Sequence, residues 1–352
     1  MQVVCYSESY MEMQRNIPLS RYSTIRLGGN ANYLIEVHDQ HSLIEAANNA
    51  KANNIPIAVI GSGSNVIWRD EGFNGLVIVN KIPGFSVVSE DDIGTYISIG
   101  AGEIWDSVVE RSVNMGLSGI ECLSLIPGTA GATPVQNVGA YGQEIAQSLV
   151  TLTAYDTQSG QVITIPAADC NFSYRHSIFN TSAKGRYLIT EITLLLTKNK
   201  PMPPFYPSLA SYLEEHGIRD YSATNLRRAV IDIRNSKLPD PGQTPNCGSF
   251  FYNPVVDESQ IALLEEKYGS VPHWATADSK IKLSAGWLIE KAGFKDYFDQ
   301  DTGIATWPAQ TLVFINQSAK STADLLRFAD KVKSAVYDQF SIELTVEPLI
   351  LP

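Results

Sequence analysis

The stretch that decides the fold is IPGTAGATPVQNVGAYG, residues 126–142. It contains four glycines, two prolines and five hydroxyl or amide side chains in 17 residues, and no charged side chain. Ordering such a segment inside a folded domain costs conformational entropy unless the segment wraps around something. A loop with a purely structural role on the surface usually carries more charge. The stretch therefore favours a loop that wraps a large ligand with polar and aromatic faces.

A second glycine-containing segment, VIGSGSN at residues 59–65, follows an apolar run. Glycines allow positive φ angles and a close approach of ligands to the backbone, and successive N–H groups there form a nest for a pyrophosphate. The segment lacks the GxGxxG spacing that opens a Rossmann helix, and it continues into the apolar VIW. By itself it is as compatible with a hairpin-like glycine turn as with a phosphate loop.

The patterns around these two segments predict an α+β protein. In residues 17–84, YLIEV and PIAVIG are typical of strands and SLIEAANNAKANN of an amphipathic helix. Residues 85–200 are rich in strand patterns (FSVVS, TYISIGA, VTLTAYD, QVITIP and YLITEITLLLT), with one helix predicted over 104–115. The prolines of PMPPF at 201–205 predict a linker, because proline cannot continue a helix or a central strand.

Beyond the linker, the pattern predicts a third, α/β domain over residues 201–352. Helices are predicted at 209–216, 223–236, 258–268 and 322–339, and they alternate with the strand-like TLVFIN and IELTVEPLIL.

Composition limits the classes of function. The chain has 352 residues, of which 44% are hydrophobic, and a formal net charge of -11. Such a surface repels polyanions, so no nucleic-acid partner is expected and any phosphate group must be held locally. No apolar run is long enough to span a membrane and no signal peptide pattern occurs, which predicts a cytoplasmic protein. Cys5, Cys122, Cys170 and Cys247 share no metal-binding spacing and are expected to be reduced.

Several ordered motifs carry a resemblance to a known family. The segments GSGSN and IPGTAGATPVQNVGAYG, preceded by YSTIRLGG at 22–29, resemble the FAD-binding half of the UDP-N-acetylenolpyruvoylglucosamine reductases. The similarity continues through YRHSIF (174–179), KLPDP (237–241), CGSFFYNP (247–254), AGWLI (285–289), QTLV (310–313) and VEP (346–348). The resemblance implies two FAD-binding subdomains of the vanillyl-alcohol-oxidase type, residues 17–84 and 85–200, and a C-terminal substrate-binding domain, residues 201–352.

The resemblance also implies the reaction. Members of this family use NADPH and non-covalent FAD to reduce UDP-N-acetylglucosamine enolpyruvate to UDP-N-acetylmuramate in peptidoglycan synthesis. Because the histidines follow no ligand spacing, no metal site is expected; no membrane partner is expected either, and the chain is expected to be a monomer. The expected cofactor contacts are Gly61, Ser62, Gly63, Ser64, Asn65, Pro127, Gly128, Thr129, Gly131, Ala132, Gln136, Asn137, Gly139, Ala140, Tyr141 and Arg234.

Three residues are expected to act in catalysis. Hydride addition to the enolpyruvyl group leaves negative charge that spreads into the carboxylate, and a cation, a hydrogen-bonding group and an acid stabilise and complete this change. Arg175 suits the cation, because its guanidinium fork pairs with a carboxylate. Glu347 is expected to polarise the same group, with Glu343 as the competing glutamate, and Ser249 is the expected proton donor.

The remaining expectations concern substrate binding. The resemblance places the nucleotide sugar near Tyr206, Lys237, Asn253, Lys295 and Gln310. Lys237 and Asn253 are also the candidates to make the Ser249 hydroxyl more acidic. Two alternatives stay open at this point: another flavin oxidoreductase of the same fold, such as a hydroxyacid or alcohol oxidase, and a non-catalytic protein that binds a flavin or a nucleotide sugar.

Overall fold

The computed structural model of this chain describes residues 13–275 and 280–352. Within that part of the chain the strands are β1 (Gln14–Pro18), β2 (Asn30–Val37), β3 (Ile57–Ile60), β4 (Val66–Trp68), β5 (Phe73–Asn80), β6 (Phe85–Glu90), β7 (Thr95–Gly100), β8 (Gly139–Ala140), β9 (Gln143–Glu144), β10 (Leu149–Asp156), β11 (Gln161–Pro166), β12 (Tyr187–Leu196), β13 (Asn246–Ser249), β14 (Val255–Val256), β15 (His273–Ala275), β16 (Ile281–Leu283), β17 (Phe298–Asp299), β18 (Ile304–Trp307), β19 (Gln310–Asn316) and β20 (Leu349–Leu351).

The α-helices of the same residues are α1 (Gln40–Ala52), α2 (Trp105–Asn114), α3 (Pro207–Glu215), α4 (Ala223–Lys237), α5 (Glu258–Tyr268), α6 (Ala285–Ile289) and α7 (Thr322–Phe340). The chain divides into two compact units, and both are discontinuous in sequence.

The first unit comprises residues 13–17, Ala31–Ser62 and Asn74–Arg234. It contains one sheet of order β1-β2-β5-β3, in which β3 and β5 are parallel, and an antiparallel sheet of order β11-β10-β12-β7-β6. Helix α1 begins after Asp39, whose carboxylate accepts a hydrogen bond from the Ser42 N–H at 2.7 Å. Its buried face repeats at helical spacing and packs in the same core as β2 and β5.

The second unit comprises Pro18–Asn30, Gly63–Phe73 and the segment from Asn235 onward. Its sheets have the orders β13-β19-β18-β17 and β14-β16-β15, and β20 pairs in parallel with β4. Helix α7 begins after Ser321, whose hydroxyl accepts from the Asp324 N–H, and ends at Ser341 in the left-handed conformation. Its apolar stripe, Leu325, Phe328, Ala329, Val332 and Val336, is buried in the core of this unit.

The predicted domain ranges 17–84, 85–200 and 201–352 stay a prediction, and the compact units divide the chain differently. Helix α3 and most of α4 belong to the first unit, because Leu209, Leu213 and Leu226 form a buried cluster with Cys122. The long segment of the second unit starts only at Asn235.

The predicted strand IELTVEPLIL is wrong over most of its length. Only Leu349–Leu351 form a strand, while Val346 makes one isolated bridge with Phe251. Pro348 has no N–H and cannot donate to a ladder at that point. Among the cysteines, Cys122, Cys170 and Cys247 are free and buried, as expected, and Cys5 lies outside the described residues.

Asp106, in the first turn of α2, joins three parts of the first unit. Its carboxylate accepts hydrogen bonds from Arg227 of α4, Nη1 at 2.6 Å and Nη2 at 3.0 Å, and from the Leu125 N–H at 2.7 Å. Burial raises the pKa of Asp106, but the hydrogen bonds from Arg227 and Leu125 outweigh burial and hold this pKa below its usual value. The ionised carboxylate therefore stabilises the folded unit.

We expect Asp106→Asn to lower the free energy of unfolding by about 2 kcal/mol at pH 7, because a charged hydrogen-bonded group is lost from a largely buried network. Urea denaturation measures this difference. Because the folded-state pKa is depressed, the stabilisation is present above the unfolded pKa of about 3.9 and is lost as pH falls through the folded pKa. The gap between the two proteins should therefore close at acidic pH.

Glu110→Gln is the matched control. The Glu110 carboxylate lies 3.8 Å from the same Arg227 but is 61% exposed, so its loss should cost less than about 0.5 kcal/mol. Equal losses for the two variants would show that Asp106 has no special structural role.

Candidate active site

The glycine loop, residues 61–65, runs from β3 to β4. Strand β3 pairs with β5, whereas β4 pairs with β20. The two strands next to the loop thus belong to different sheets, and the interpretation of this segment as a hairpin turn is wrong.

Gly61 lies against Thr129 of the uncharged loop, residues 126–142. A Cβ at position 61 would lie 2.2 Å from Thr129 Oγ1 and 3.1 Å from Thr129 Cβ. Only glycine permits this approach, and Thr129 itself is 2% exposed. The two segments that the sequence singled out therefore contact each other within the first unit.

Gly63 and Thr24 are neighbours within the second unit. Gly63 has a φ of +65°, and a Cβ there would lie 2.0 Å from the Tyr22 carbonyl oxygen. The Thr24 N–H donates to the Gly63 carbonyl at 3.2 Å. The Thr24 hydroxyl is buried and has no hydrogen-bond partner among the described residues. A polar ligand group at this point would satisfy it.

The backbone of the uncharged loop is attached to the start of α2. The Ala130 N–H donates to the Glu103 carbonyl at 2.8 Å, and the Gly131 N–H donates to the Ala101 carbonyl at 2.9 Å. A Cβ at Gly131 would lie 2.5 Å from the Ala101 Cβ. Gly131 is thus required for this close approach of two backbone segments.

The side-chain amide of Asn137 joins the same loop to neighbouring segments of the first unit. It is 1% exposed, with a φ of +44°. Its Nδ2 donates to Glu144 Oε2 at 2.7 Å and to the Ser173 carbonyl at 3.1 Å, while its Oδ1 accepts from the Ala146 N–H at 3.2 Å. These contacts occupy the amide with protein partners, so Asn137 shapes the loop rather than presenting its amide outward.

Tyr141, Arg234 and Tyr206 form a cluster in the first unit. The Tyr141 and Tyr206 rings meet edge to face, with centroids 6.0 Å apart. Arg234 Nη2 donates to the Leu125 carbonyl at 3.2 Å, and burial lowers the pKa of the guanidinium, opposed by Tyr141 and by Asp106. Burial likewise raises the pKa of both tyrosines. The cluster therefore holds a desolvated cation beside the Tyr141 phenol, and Tyr206 packs against the Tyr141 ring.

Arg175 occupies a tight turn of the first unit. Ser173 and His176 exchange backbone hydrogen bonds of 3.0 and 3.1 Å, so Tyr174 and Arg175 are the two central residues of the turn. Arg175 has a φ of +56°. Its Nη1 and Nη2 both donate to the Gly139 carbonyl at 3.3 Å, and its Cζ lies 5.3 Å from the centroid of the Tyr174 ring.

Ser249 and Glu347 lie on neighbouring segments of the second unit. Ser249 ends β13, and the next residue, Phe250, accepts a backbone hydrogen bond from the Glu347 N–H at 3.0 Å. Burial, and to a smaller extent the charge of Glu347, raise the pKa of the Cys247 thiol to about 12. Gly248, between Cys247 and Ser249, has a φ of +75°, and a Cβ there would meet open space.

The structure separates the two competing glutamates. Glu343 is exposed, whereas Glu347 is partly buried beside the Cys247–Phe251 segment. Of the two, Glu347 has an observed contact with the segment that carries Ser249, through the Phe250 carbonyl.

Two of the expected substrate residues flank the start of α6. Asn253 Oδ1 accepts from the Ala285 N–H at 2.9 Å, and a Cβ at Gly286 would lie 2.9 Å from Gln310 Oε1. Lys295 is exposed and pairs with Glu290 at 2.7 Å. Lys237 is exposed at the end of α4.

The other residues expected to contact the cofactor all retain some exposure on the two loops or in the β8–β9 hairpin. They are Ser62, Ser64, Asn65, Pro127, Gly128, Ala132, Gln136, Gly139 and Ala140.

The sequence patterns did not indicate Asp106, Arg227 or Asn180, and Thr24 was included only as part of YSTIRLGG (22–29). The first two are ordinary charged residues on predicted helices, and no local pattern links them. Asn180 did leave a signal, because Ser177-x-x-Asn180 follows the spacing of a capping box, and the structure forms that box.

Across residues 13–275 and 280–352, no cluster of three or more histidine, cysteine, aspartate or glutamate residues is arranged to hold a metal ion. In that same part of the chain, no helix has both the length and the apolar character that a membrane span requires.

Comparison with known proteins gives two family matches. Residues 31–166 match the FAD binding domain, and residues 240–351 match the C-terminal domain of UDP-N-acetylenolpyruvoylglucosamine reductase. Together they confirm the predicted fold class, an FAD-binding unit followed by a C-terminal domain of the reductase type.

Individual relatives agree along almost the whole chain. The UDP-N-acetylenolpyruvoylglucosamine reductase of Ralstonia nicotianae is 36% identical over 337 residues, 95% of this chain and 98% of that protein. The reductase of Thermobifida fusca is 38% identical over 350 residues, 96% and 97% of the two chains. The solved structure of the Thermus caldophilus reductase superposes with a TM-score of 0.67 at 22% identity, over 97% of this chain and all of that one, and so shares the fold. This chain belongs to the UDP-N-acetylenolpyruvoylglucosamine reductase family.

Proposed function

We propose that this chain reduces UDP-N-acetylglucosamine enolpyruvate to UDP-N-acetylmuramate, with NADPH as reductant and FAD as cofactor, in peptidoglycan precursor synthesis. Family membership over nearly the full length supports the reaction. The observation that supports the catalytic assignment is the backbone hydrogen bond from the Glu347 N–H to the carbonyl of Phe250, the residue after Ser249.

The residues of the two loops fit FAD. The uncharged loop has no charged side chain, as expected of a wall against a flavin ring system. Gly61 and Gly131 leave no room for a Cβ, so the backbones at both positions are held in close contact. Arg234 is a cation that burial disfavours, and an anionic group of the dinucleotide would compensate for this.

We assign cofactor binding to the glycine loop, the uncharged loop, Tyr141 and Arg234. When bound there, FAD would supply the hydride-transfer chemistry that links NADPH to the terminal carbon of the enolpyruvyl double bond. The residues of the chain then have to stabilise and protonate what remains.

Arg175 is proposed to bind the pyruvyl carboxylate. Its two terminal nitrogens are both 3.3 Å from one carbonyl oxygen, Gly139 O, which is a long and weak arrangement. A carboxylate offers two oxygens in the geometry of the guanidinium fork and so binds more strongly. The cation is thereby placed where negative charge develops.

Glu347 and Ser249 are proposed to act on the carbon next to that carboxylate. Hydride addition at the terminal carbon leaves an electron pair on this carbon, and a proton must be added there to complete the saturated ether. Ser249 donates the proton, and Glu347 polarises the developing enolate by a hydrogen bond. The Cys247 thiol, whose pKa burial raises to about 12, is a poor competing acid.

The remaining assignments concern the nucleotide sugar and the cell. Tyr206, Lys237, Asn253, Lys295 and Gln310 are proposed to contact the substrate, Asn253 and Gln310 from either side of the α6 N-terminus. The buried free thiols agree with a reducing compartment, and we propose a cytoplasmic monomer. No described feature favours an alcohol oxidase or a non-catalytic binding protein.

The assay of the proposed function follows NADPH absorbance with purified protein, with and without the enolpyruvyl nucleotide sugar. NADPH oxidation that requires this substrate supports the proposal. Oxidation that requires oxygen and an alcohol, or a bound flavin without turnover, contradicts it.

We expect Gly61→Ala to weaken FAD binding at least tenfold, because the added Cβ would force the glycine loop away from Thr129. Flavin fluorescence quenching during titration of the apoprotein measures the affinity. Gly116→Ala is the control, since position 116 has a positive φ but an added Cβ meets no atom within 4 Å. Equal losses in both variants would trace the effect to general instability.

We expect Glu347→Gln to slow substrate-dependent NADPH oxidation by about 10²-fold or more, because a group aimed at the developing charge is altered. Glu343→Gln is the matched control, four residues away and exposed, and should keep the native rate. The reverse pattern would assign the catalytic role to Glu343.

We expect Ser249→Ala to separate the two halves of the reaction. Flavin reduction by NADPH should keep nearly its native rate, since that step needs no proton from this hydroxyl. Stopped-flow oxidation by the substrate should slow by about 10²- to 10⁴-fold, and Ser249→Cys should recover part of the loss. If alanine slows both steps equally, Ser249 is a packing residue and not the acid.

A further inference from the structure

The turn that carries Arg175 has a strained backbone conformation, and the side chain of Asn180 is hydrogen-bonded to it. A φ of +56° is unusual for a residue with a long side chain, and such backbone strain persists only where the surroundings over-determine it. The direction of the guanidinium depends on this backbone. Whatever holds the φ of Arg175 therefore also aims its side chain.

The side chain of Asn180 makes two hydrogen bonds to the backbone at this turn. Its Nδ2 donates to the Arg175 carbonyl at 3.0 Å, while its Oδ1 accepts from the Ser177 N–H at 3.0 Å. One planar amide thus spans the carbonyl of Arg175 and the amide of the residue two positions later. Rotation of the Arg175 peptide out of the left-handed region would break the first of these bonds.

Ser177, whose N–H donates to the Asn180 side chain, is buried and held in place by the uncharged loop. Ser177 is fully buried, and its Oγ donates to the Val135 carbonyl of the uncharged loop at 2.6 Å. Asn137 of the same loop donates to the Ser173 carbonyl at the other end of the turn. The loop therefore supports both ends of the turn, and the Asn180 amide is the part that reaches Arg175 itself.

We infer that Asn180 is a positioning residue for the reduction: it holds the left-handed backbone of Arg175 and so aims the guanidinium at the substrate carboxylate. This inference rests on the proposed role of Arg175. Asn180 itself is not assigned a contact with the substrate.

The experiment compares Asn180→Asp with Asn180→Ala. Aspartate can still accept from the Ser177 N–H, but when ionised it cannot donate to the Arg175 carbonyl. This variant therefore keeps the hydrogen bond to Ser177 and loses the one to Arg175. Both variants should lower the rate of substrate-dependent flavin oxidation by about 10- to 100-fold, the size of effect expected when a reacting group is misplaced. Flavin reduction by NADPH should be unchanged.

A binding measurement gives a readout that does not depend on turnover. The dissociation constant of the enolpyruvyl nucleotide sugar, measured without NADPH by flavin absorbance, should rise in both variants. Asn225→Ala is the matched control for Asn180→Ala, because Asn225 also donates its Nδ2 to a backbone carbonyl, that of Asp220 at 2.9 Å, in the first unit. That variant should keep native binding and rates.

A double-mutant cycle with Arg175→Ala decides whether Asn180 acts through Arg175. In the Arg175→Ala background, Asn180→Asp should cause little further loss, since no guanidinium remains to be aimed. Additive losses would overturn the inference and leave Asn180 with a general structural role. Native-like rates and binding in Asn180→Asp, alongside a slow Arg175→Ala, would overturn it while the proposed function stands.

If Arg175→Ala itself keeps the native substrate rate, the proposed role of Arg175 fails and the inference fails with it. Melting temperatures of all variants, compared with that of Asn225→Ala, separate a folding defect from misplacement. A variant that melts near the native temperature but reduces its substrate slowly supports positioning.

Discussion

The carboxylate of Asp106 is the interaction on which the arrangement of the first unit's loops depends. It accepts from both terminal nitrogens of Arg227 and from the Leu125 N–H, and so ties α2, α4 and the approach to the uncharged loop to one point. The Leu125 carbonyl in turn accepts from Arg234, which lies two helical turns after Arg227 on α4. Separating a buried, charged carboxylate from several hydrogen-bond donors costs free energy. The contacts of Asp106 therefore fix the position of Leu125, directly before the uncharged loop.

The candidate residues of the two units lie on different kinds of backbone. In the first unit, Leu125, Asn137, Tyr141 and Arg175 all have positive φ angles, each of which costs on the order of 1–3 kcal/mol. Side-chain amides and carbonyl contacts hold these conformations. In the second unit, Ser249 and Glu347 belong to extended segments, and the one positive φ beside them falls on a glycine, which adopts it without strain. The first unit therefore stores strain at several of its candidate residues, while the second has ordinary strand geometry at Ser249 and Glu347.

Local patterns predicted the elements whose signals are local. The helices at 258–268 and 322–339 follow apolar spacing, and the structure places them at Glu258–Tyr268 and Thr322–Phe340. The composition of the uncharged loop predicted a wrapping segment, and motif resemblance supplied the residues of the site. The failure at 342–351 arose because alternating apolar residues also suit an irregular segment that packs between elements. The hydrogen bonds of Asp106 could not be predicted from the sequence, since its partners lie at positions 125 and 227 and meet it only in the folded unit.

The parallel pairing of β20 with β4 has a consequence for the order in which the molecule is made. The Leu349 N–H donates to the Asn65 carbonyl at 2.9 Å, and Arg69 donates to the Leu351 carbonyl, so the end of the glycine loop is held by residues synthesised long after it. Contacts between such distant positions close late, because the entropy of the intervening chain must be overcome first. The residues of the first unit end at Arg234, so this unit can acquire its fold before β20 is made. The backbone of Asn65, at the end of the glycine loop, thus reaches its final contacts only after β20 has been synthesised and has paired with β4.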